Sequence, residues 1–564
     1  MLNDIAELKI KTSLDKLASD DEEREAEYLA QQSGLPYIDL RIKSPELDAL
    51  AKVKIEDSEK YDLVPFRLVG RQMHVAIKDP TRDDVVQYLA SISTRDEKPI
   101  IYVASKTSIK RVQQRYKDLD SETTTERGLV DLNESHLKEL MQDITTLAEF
   151  RTRLEKVVMN EQRERVSKII ELTLVGAIHF GVSDIHIEPE DDAVKVRYRI
   201  DGMLQDIFFT DMKTFNLVNS RLKLLSGLKL STQKVAQDGR FEIGFEGAKI
   251  EVRVSLVPGN YGENYVMRIL DPKAANVSFD ALGMNAKVFA LLERALKKPY
   301  GMILNTGPTG SGKSTTLYAC LKKTYTPEKK IITIEDPIEY HINGITQTQV
   351  DTKKDYTFLL GLRAALRQDP DIIMVGEIRD EDTAKVAASA ALTGHIVLST
   401  LHTNSAAGAI PRMIDLGVDA KTLGSSIGLV MAQRLCRKLC KDCKQERDST
   451  SDESKLITDI LGNMIADGKE VSTQAQKTYK LYTANTNGCD NCNGGYKGRI
   501  GIFEAIQMTR EIEEAAVSGK GERELREVAV SQLIPTMRED GILKMLEGIT
   551  SLEELETVVD LYEK

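Results

Sequence analysis

The stretch 305–323, NTGPTGSGKSTTLYACLKK, decides the fold. Gly307, Gly312, Lys313 and Ser314 fit G-x-x-x-x-G-K-[ST], directly after the apolar run GMIL and before a helical pattern. Glycines let successive backbone N–H groups curl around phosphate oxygens, and a helix starting at Lys313 adds the positive end of its dipole. The reading makes Gly307, Pro308, Thr309, Gly310, Ser311, Gly312, Lys313, Ser314 and Thr315 an ATP-binding loop. Lys313 would neutralise β- and γ-phosphate oxygens, and the Ser314 hydroxyl would ligate Mg²⁺.

Outward from this loop, strand and helix patterns alternate. A helix is expected near 285–297, then GMILNTG as a strand and a helix from Lys313. KIITIED, a helix near 357–367, DIIMVGE, a helix near 381–391 and HIVLSTLH follow. Such alternation implies a parallel sheet covered on both faces. Ligands of such sheets bind at the carboxyl ends of the strands, which directs attention to the acids there. ITIEDPIEY supplies Glu335, Asp336 and Glu339, and IIMVGEIRD supplies Glu377. Asp336, before Pro337, reads as a helix N-cap, whereas Glu377 follows four apolar strand residues and has no such local duty. His395 and His402 stand at the two ends of one strand; His402, beside Thr400 and Thr403 at the carboxyl end, is the one placed to sense a γ-phosphate.

Upstream, Val194, Val196, Tyr198 and Ile200 alternate with Lys195, Arg197 and Arg199, a strand with a basic face. AKIEVRVS places Arg253 opposite Ile250, Val252 and Val254, ENYVMRIL carries Arg268, and Arg240 is expected in a turn, QDGRF. Downstream, Cys440-x-x-Cys443 and Cys489-x-x-Cys492 form two knuckles that together satisfy a tetrahedral structural Zn²⁺ site, with Cys436 spare. The reading against it is four reduced free thiols. The polar stretch LDSETTTERG and the charged helical pattern after it mark 117–163 as a linker with helical portions.

Composition narrows the function. A chain of 564 residues exceeds one hydrophobic core, and 41% hydrophobic with 29% charged residues exclude a mostly disordered polymer. A formal charge of −11 disfavours nucleic acid as a bulk electrostatic partner. No run approaches the ~20 apolar residues of a membrane helix, and the N-terminus lacks a signal pattern, so a cytoplasmic location is expected.

GPTGSGKSTT, ITIEDPIEY, LRQDPDIIMVGEIRD and TGHIVLSTLHT, in this order, resemble the Walker A, Asp box, Walker B and His box of the secretion ATPase superfamily. The tetracysteine insert is similar to that of type IV pilus assembly and type II secretion motors. The resemblance implies an α/β fold: a RecA-like P-loop NTPase domain over 281–564 with a tetracysteine zinc insert at 434–500. A PAS-like α+β domain over 164–280, bearing the arginines, and a separate small α+β N-terminal domain over 1–116 precede it. It further implies a homohexamer hydrolysing Mg-ATP to drive pilus assembly through an inner-membrane platform protein, peripheral to the cytoplasmic membrane through its partners. Type II secretion is the alternative; DNA transport and a non-hydrolysing nucleotide-gated module are less favoured. Glu377 would position Mg²⁺ or its water, Glu339 would be the general base, and Arg240, Arg253 and Arg268 would contact phosphate. The N-terminal segment resembles the corresponding domain of assembly motors, some of which bind cyclic di-GMP through a repeated Arg-Leu-Gly-x-x-Leu pattern. That pattern is missing from residues 1–30, so docking to a cytoplasmic assembly-complex protein is the expected role.

Overall fold

Among the described residues, three larger sheets and one two-stranded sheet organise the chain. The computed structural model describes residues 21–41, 47–50, 52–69, 72–92, 99–113, 116, 129–131, 144–159, 165–232, 234–245, 248–271, 277–471 and 476–562. The expectations for residues 1–20 and for most of the 117–163 linker lie outside the described residues.

The first sheet orders β1 (Leu63–Val69), β2 (Gln72–Ile77) and β3 (Ile100–Val103), with β1 antiparallel and β3 parallel to β2. Period-two alternation sends apolar side chains to both faces, and each face is covered. Val64, Phe66 and Ala76 pack with Ile109 and Val112, while Leu63, Val75 and Ile77 pack with Val85 and Leu89.

The second sheet contains β4 (Leu129–Asp131), β5 (Asp184–Pro189), β6 (Val194–Ile200), β7 (Met203–Thr210), β8 (Gln237–Phe245), β9 (Ala248–Pro258) and β10 (Glu263–Leu270), in the order β4-β8-β9-β10-β5-β6-β7. Val194, Val196, Tyr198 and Ile200 are buried and the cations between them are not, as their alternation predicts. Two elements from the expected linker belong to this domain. β4 pairs with β8, and Phe150 of the helix Leu147–Met159 stacks on Tyr198 at 6.2 Å between centroids. Gly176, on the helix Arg165–His179, admits that ring; a methyl group in its place would collide with it. Arg240 lies inside β8, not in a turn. The stretch QDGRF reads as a turn because Asp-Gly favours one locally, but nine residues pair with β9 and extend the strand through it.

The third sheet comprises β11 (Gly301–Thr306), β12 (Ile331–Glu335), β13 (Thr346–Gln349), β14 (Ile372–Val375), β15 (Ile396–Leu401), β16 (Ile427–Leu439) and β19 (Tyr496–Gln507), ordered β13-β12-β14-β15-β11-β16-β19. A two-stranded antiparallel sheet, β17 (Gln445–Asp448) with β18 (Lys480–Thr483), lies in the chain between the last two. The four central strands are short apolar runs buried on both faces, the pattern of a parallel sheet flanked by helices. The sheet is not wholly parallel: β19 runs antiparallel to β16, and β13, polar and therefore silent to an apolar search, adds a parallel edge.

Candidate active site

Strands β11, β12, β14 and β15 run parallel, so residues just past their carboxyl ends converge whatever their separation in sequence. β11 ends at Thr306 and hands the chain to the loop, whose glycines at 307, 310 and 312 take φ of 149°, 80° and 87°. Gly312 caps the helix Lys313–Thr324, and a Cβ there would lie 2.7 Å from Gln433 Nε2. Conformation and space therefore both require glycine. Thr309 and Ser314 are exposed, whereas the Ser311 hydroxyl is buried with no hydrogen-bond partner among the described residues. Lys313 Nζ donates to the loop's own carbonyls, Gly307 O at 2.7 Å and Pro308 O at 2.9 Å. Burial pushes the Lys313 ammonium below its usual range; the Glu377 carboxylate opposes that shift and Arg434 adds to it. An unpaired hydroxyl and an ammonium held only by carbonyls fit a site that takes anionic oxygens.

Glu377 follows β14 and is 9% exposed. One oxygen lies 3.2 Å from His402 Nε2 and the other pairs with Arg379. Thr403 N donates to Thr306 Oγ1 at 2.8 Å, which ties the His402 segment to the strand leading into the phosphate loop. His395 sits at the opposite end of β15 with Nδ1 3.0 Å from Ala390 O, a local structural contact.

The acids after β12 separate by environment. Glu335 is buried and accepts from the Tyr318 hydroxyl, from Thr333 Oγ1 at 2.5 Å and from Gln347 Nε2 at 3.1 Å. Burial raises its pKa, and these donors oppose the rise. Asp336 caps no helix, because the chain from 336 to 341 is irregular. Gln347 holds that segment open, accepting from Ile342 N at 2.7 Å and donating to Tyr340 O at 3.1 Å. The backbone groups a helix would pair are thus spent on β13. Glu339 lies within this segment, only partly buried, with its N–H 3.4 Å from the Tyr318 hydroxyl.

Three further polar residues, on β16 and β19, have no local sequence signature. Gln433 on β16, 2% exposed, accepts from Asn305 Nδ2 at 2.9 Å and Thr316 Oγ1 at 2.8 Å beneath the loop. Arg434 donates to Asn404 O at 2.9 Å, next to the His402 segment. Glu504 on β19 accepts from Ala406 N at 2.7 Å and Met537 N at 3.1 Å, and burial raises its pKa.

The arginines belong to the second sheet. Arg240 and Arg253 are directly opposite each other in the β8–β9 register, with Arg253 Nε 3.0 Å from Glu251 Oε1. Arg268 Nε is 2.9 Å from Asp184 Oδ1, so it holds a carboxylate within its own domain.

At the far end of β16, the Sγ atoms of Cys440, Cys443, Cys489 and Cys492 all lie within 4.8 Å of one another. The separations are 3.7 Å for 440–489, 3.5 Å for 443–492 and 3.6 Å for 489–492. Four sulfurs ~2.3 Å from a tetrahedral zinc would be ~3.8 Å apart, so the donor set fits that ion. Cys489 N donates to Cys492 Sγ at 3.2 Å within the second Cys-x-x-Cys turn. Cys436 is buried within β16, paired with Ile500, and stands apart from the cluster.

Residues 159–557 match the family described as Type II/IV secretion system protein, and residues 33–123 match the MshEN domain. The chain is 35% identical to the type IV pilus assembly ATPase PilB of Myxococcus xanthus, covering 97% of this chain and 93% of that protein. It is 42% identical to the type II secretion system ATPase E of Vibrio cholerae, over 75% of this chain and 82% of that one. Among solved structures, the Yersinia pseudotuberculosis ATPase DotB superposes with a TM-score of 0.51 at 20% identity, covering 70% of this chain and 94% of its own, a likeness of fold. With a phosphate loop, strand-end acids and these relatives, the chain belongs to the Type II/IV secretion system protein family and is an ATP-hydrolysing secretion motor.

Proposed function

We propose that this ATPase drives type IV pilus assembly, as a homohexamer acting on an inner-membrane platform protein from the cytoplasmic face. The carrying observation is the extent of the likeness: PilB aligns over 97% of the chain, N-terminal segment included, whereas the secretion relative aligns over 75%. The N-terminal domain, 1–116, would dock an assembly-complex protein; the domain 164–280 would close on the ATPase domain 281–564 as nucleotide changes. The higher identity to the type II secretion ATPase favours a second reading, the same chemistry serving secretion.

ATP would sit on Gly307–Thr315, with the Lys313 ammonium exchanging the carbonyls of Gly307 and Pro308 for phosphate oxygens. Ser314 and Glu377 would hold Mg²⁺, directly or through water; the ion offsets the charge on the phosphates. Glu339 would take the proton of the attacking water as the bond between the γ-phosphorus and its bridging oxygen breaks, giving ADP and inorganic phosphate. His402, 3.2 Å from Glu377, would register whether the γ-phosphate is present. Arg240, Arg253 and Arg268 would supply the contacts that differ between ATP and ADP, since a ligand shifts an equilibrium only by what it touches differently. Zinc would close the 434–500 module as a structural ion.

The deciding experiment deletes the gene and complements it with wild type or Lys313→Ala. Surface pili lost and protein secretion kept, with rescue by wild type only, is the expected result. Secretion lost and pili kept would establish the second reading, and both unaffected would refute the motor assignment.

A further inference from the structure

The hydroxyl of Tyr318 stands where three parts of the ATPase domain meet. Tyr318 is on the helix Lys313–Thr324, which begins at the phosphate loop, and its side chain is buried. It donates to Glu335 at the end of β12 and accepts from the Glu339 backbone N–H at 3.4 Å. Tyr340, the next residue along, packs edge-on against the Tyr318 ring at 4.5 Å between centroids. The irregular segment bearing Glu339 is therefore fastened at Tyr318, through its hydroxyl and its ring, to the helix that carries Lys313.

We propose that Tyr318 is a positioning residue for ATP hydrolysis: its bridge from Glu335 to the Glu339 backbone sets the distance between the Glu339 carboxylate and the phosphate loop. This rests on the reading of Glu339 as the base. The segment has no helix or strand of its own to hold it between 336 and 341, so tethers decide its place. A hydroxyl is needed because it must donate and accept at once, and Glu335, fixed by Thr333 and Gln347, supplies the stationary end. The ring alone keeps the packing against Tyr340. Removing only the oxygen thus loosens the base while leaving the loop, its glycines and Lys313 in place.

The test compares wild type, Tyr318→Phe, Glu339→Gln and the double variant in the full-length protein. Single-turnover ATP hydrolysis measures the chemistry, and binding of a fluorescent ATP analogue measures the site. Tyr318→Phe is expected to lower the rate roughly 10- to 100-fold, the effect of a small misplacement of a reacting group, with ATP-analogue affinity within about 2-fold of wild type. In the double variant it should add nothing to the loss caused by Glu339→Gln. A residue with only a structural role would weaken nucleotide binding and multiply with Glu339→Gln. An unchanged rate in Tyr318→Phe beside an inactive Glu339→Gln, or multiplying effects, overturns the positioning role alone. Full turnover by Glu339→Gln overturns the base reading and this proposal with it. Should Tyr318→Phe not fold, Glu335→Gln removes the anionic acceptor at the other end of the bridge, and the same rate and affinity pattern is required of it.

Discussion

Replacing Cys443 by serine probes the zinc module most directly. Three of the six Sγ separations, 3.5, 3.6 and 3.7 Å, lie within a few tenths of an ångström of the ~3.8 Å edge of a zinc tetrahedron, and all six are within 4.8 Å. The four thiols are thus already gathered within reach of one ion. The first knuckle is anchored independently of metal, with Cys440 N donating to Gly495 O at 2.8 Å and Lys444 N to Cys440 O at 3.1 Å. Structural zinc in small domains binds with about 10–16 kcal/mol apparent free energy, or ~2.5–4 kcal/mol for each of four thiolates. At about 1.4 kcal/mol per decade, loss of one thiolate should weaken zinc by two to three decades. Purified wild type should carry one zinc per chain by elemental analysis, and a chromophoric chelator should strip Cys443→Ser at concentrations that leave wild type loaded. Wild type that folds without metal, or equal retention by both proteins, would refute the site.

Lys313→Ala should cut ATP turnover by roughly 100- to 1,000-fold, the scale for losing one preorganised charge at a reacting centre, while circular dichroism stays unchanged. Gly176→Ala puts a methyl group against the buried Phe150 ring and should destabilise the second domain by about 1–3 kcal/mol, read as faster amide exchange in the helix Arg165–His179. Glu453, gripped by Arg447 at 2.7 and 2.6 Å, has its pKa lowered from 4.5 to about 2. A folded value below the unfolded one means the contribution is complete above pH 4.5 and disappears as pH falls toward about 2. The stability gap between wild type and Arg447→Gln should narrow over that interval in acid denaturation. A gap that stays constant would refute the pairing.

Chemistry written locally was legible in advance. The phosphate loop, the strands ending at Glu335, Val375 and Leu401 and the paired Cys-x-x-Cys motifs depend on neighbours a few residues apart, and period and spacing record those. Asp336 misled for the same reason: the local Asp-Pro signal was real, but Gln347 on an edge strand held the segment out of a helix. For Arg240 the local Asp-Gly pair favours a turn, and pairing with β9 extends the strand through it.

What the amino-acid order determined by itself was the repertoire: a triphosphate loop, acids and a histidine at strand ends, cations on alternating strands and four thiols. Which of these meet was decided only by the tertiary structure. Glu377 reaches His402 because β14 and β15 are parallel neighbours, Gln433 supports the loop because β16 lies beside β11, and Tyr318 reaches Glu335 and Glu339 across a helix–strand packing. Such contacts join residues that no period or spacing links, since a sheet's strand order, not the order of the chain, sets which side chains share a site.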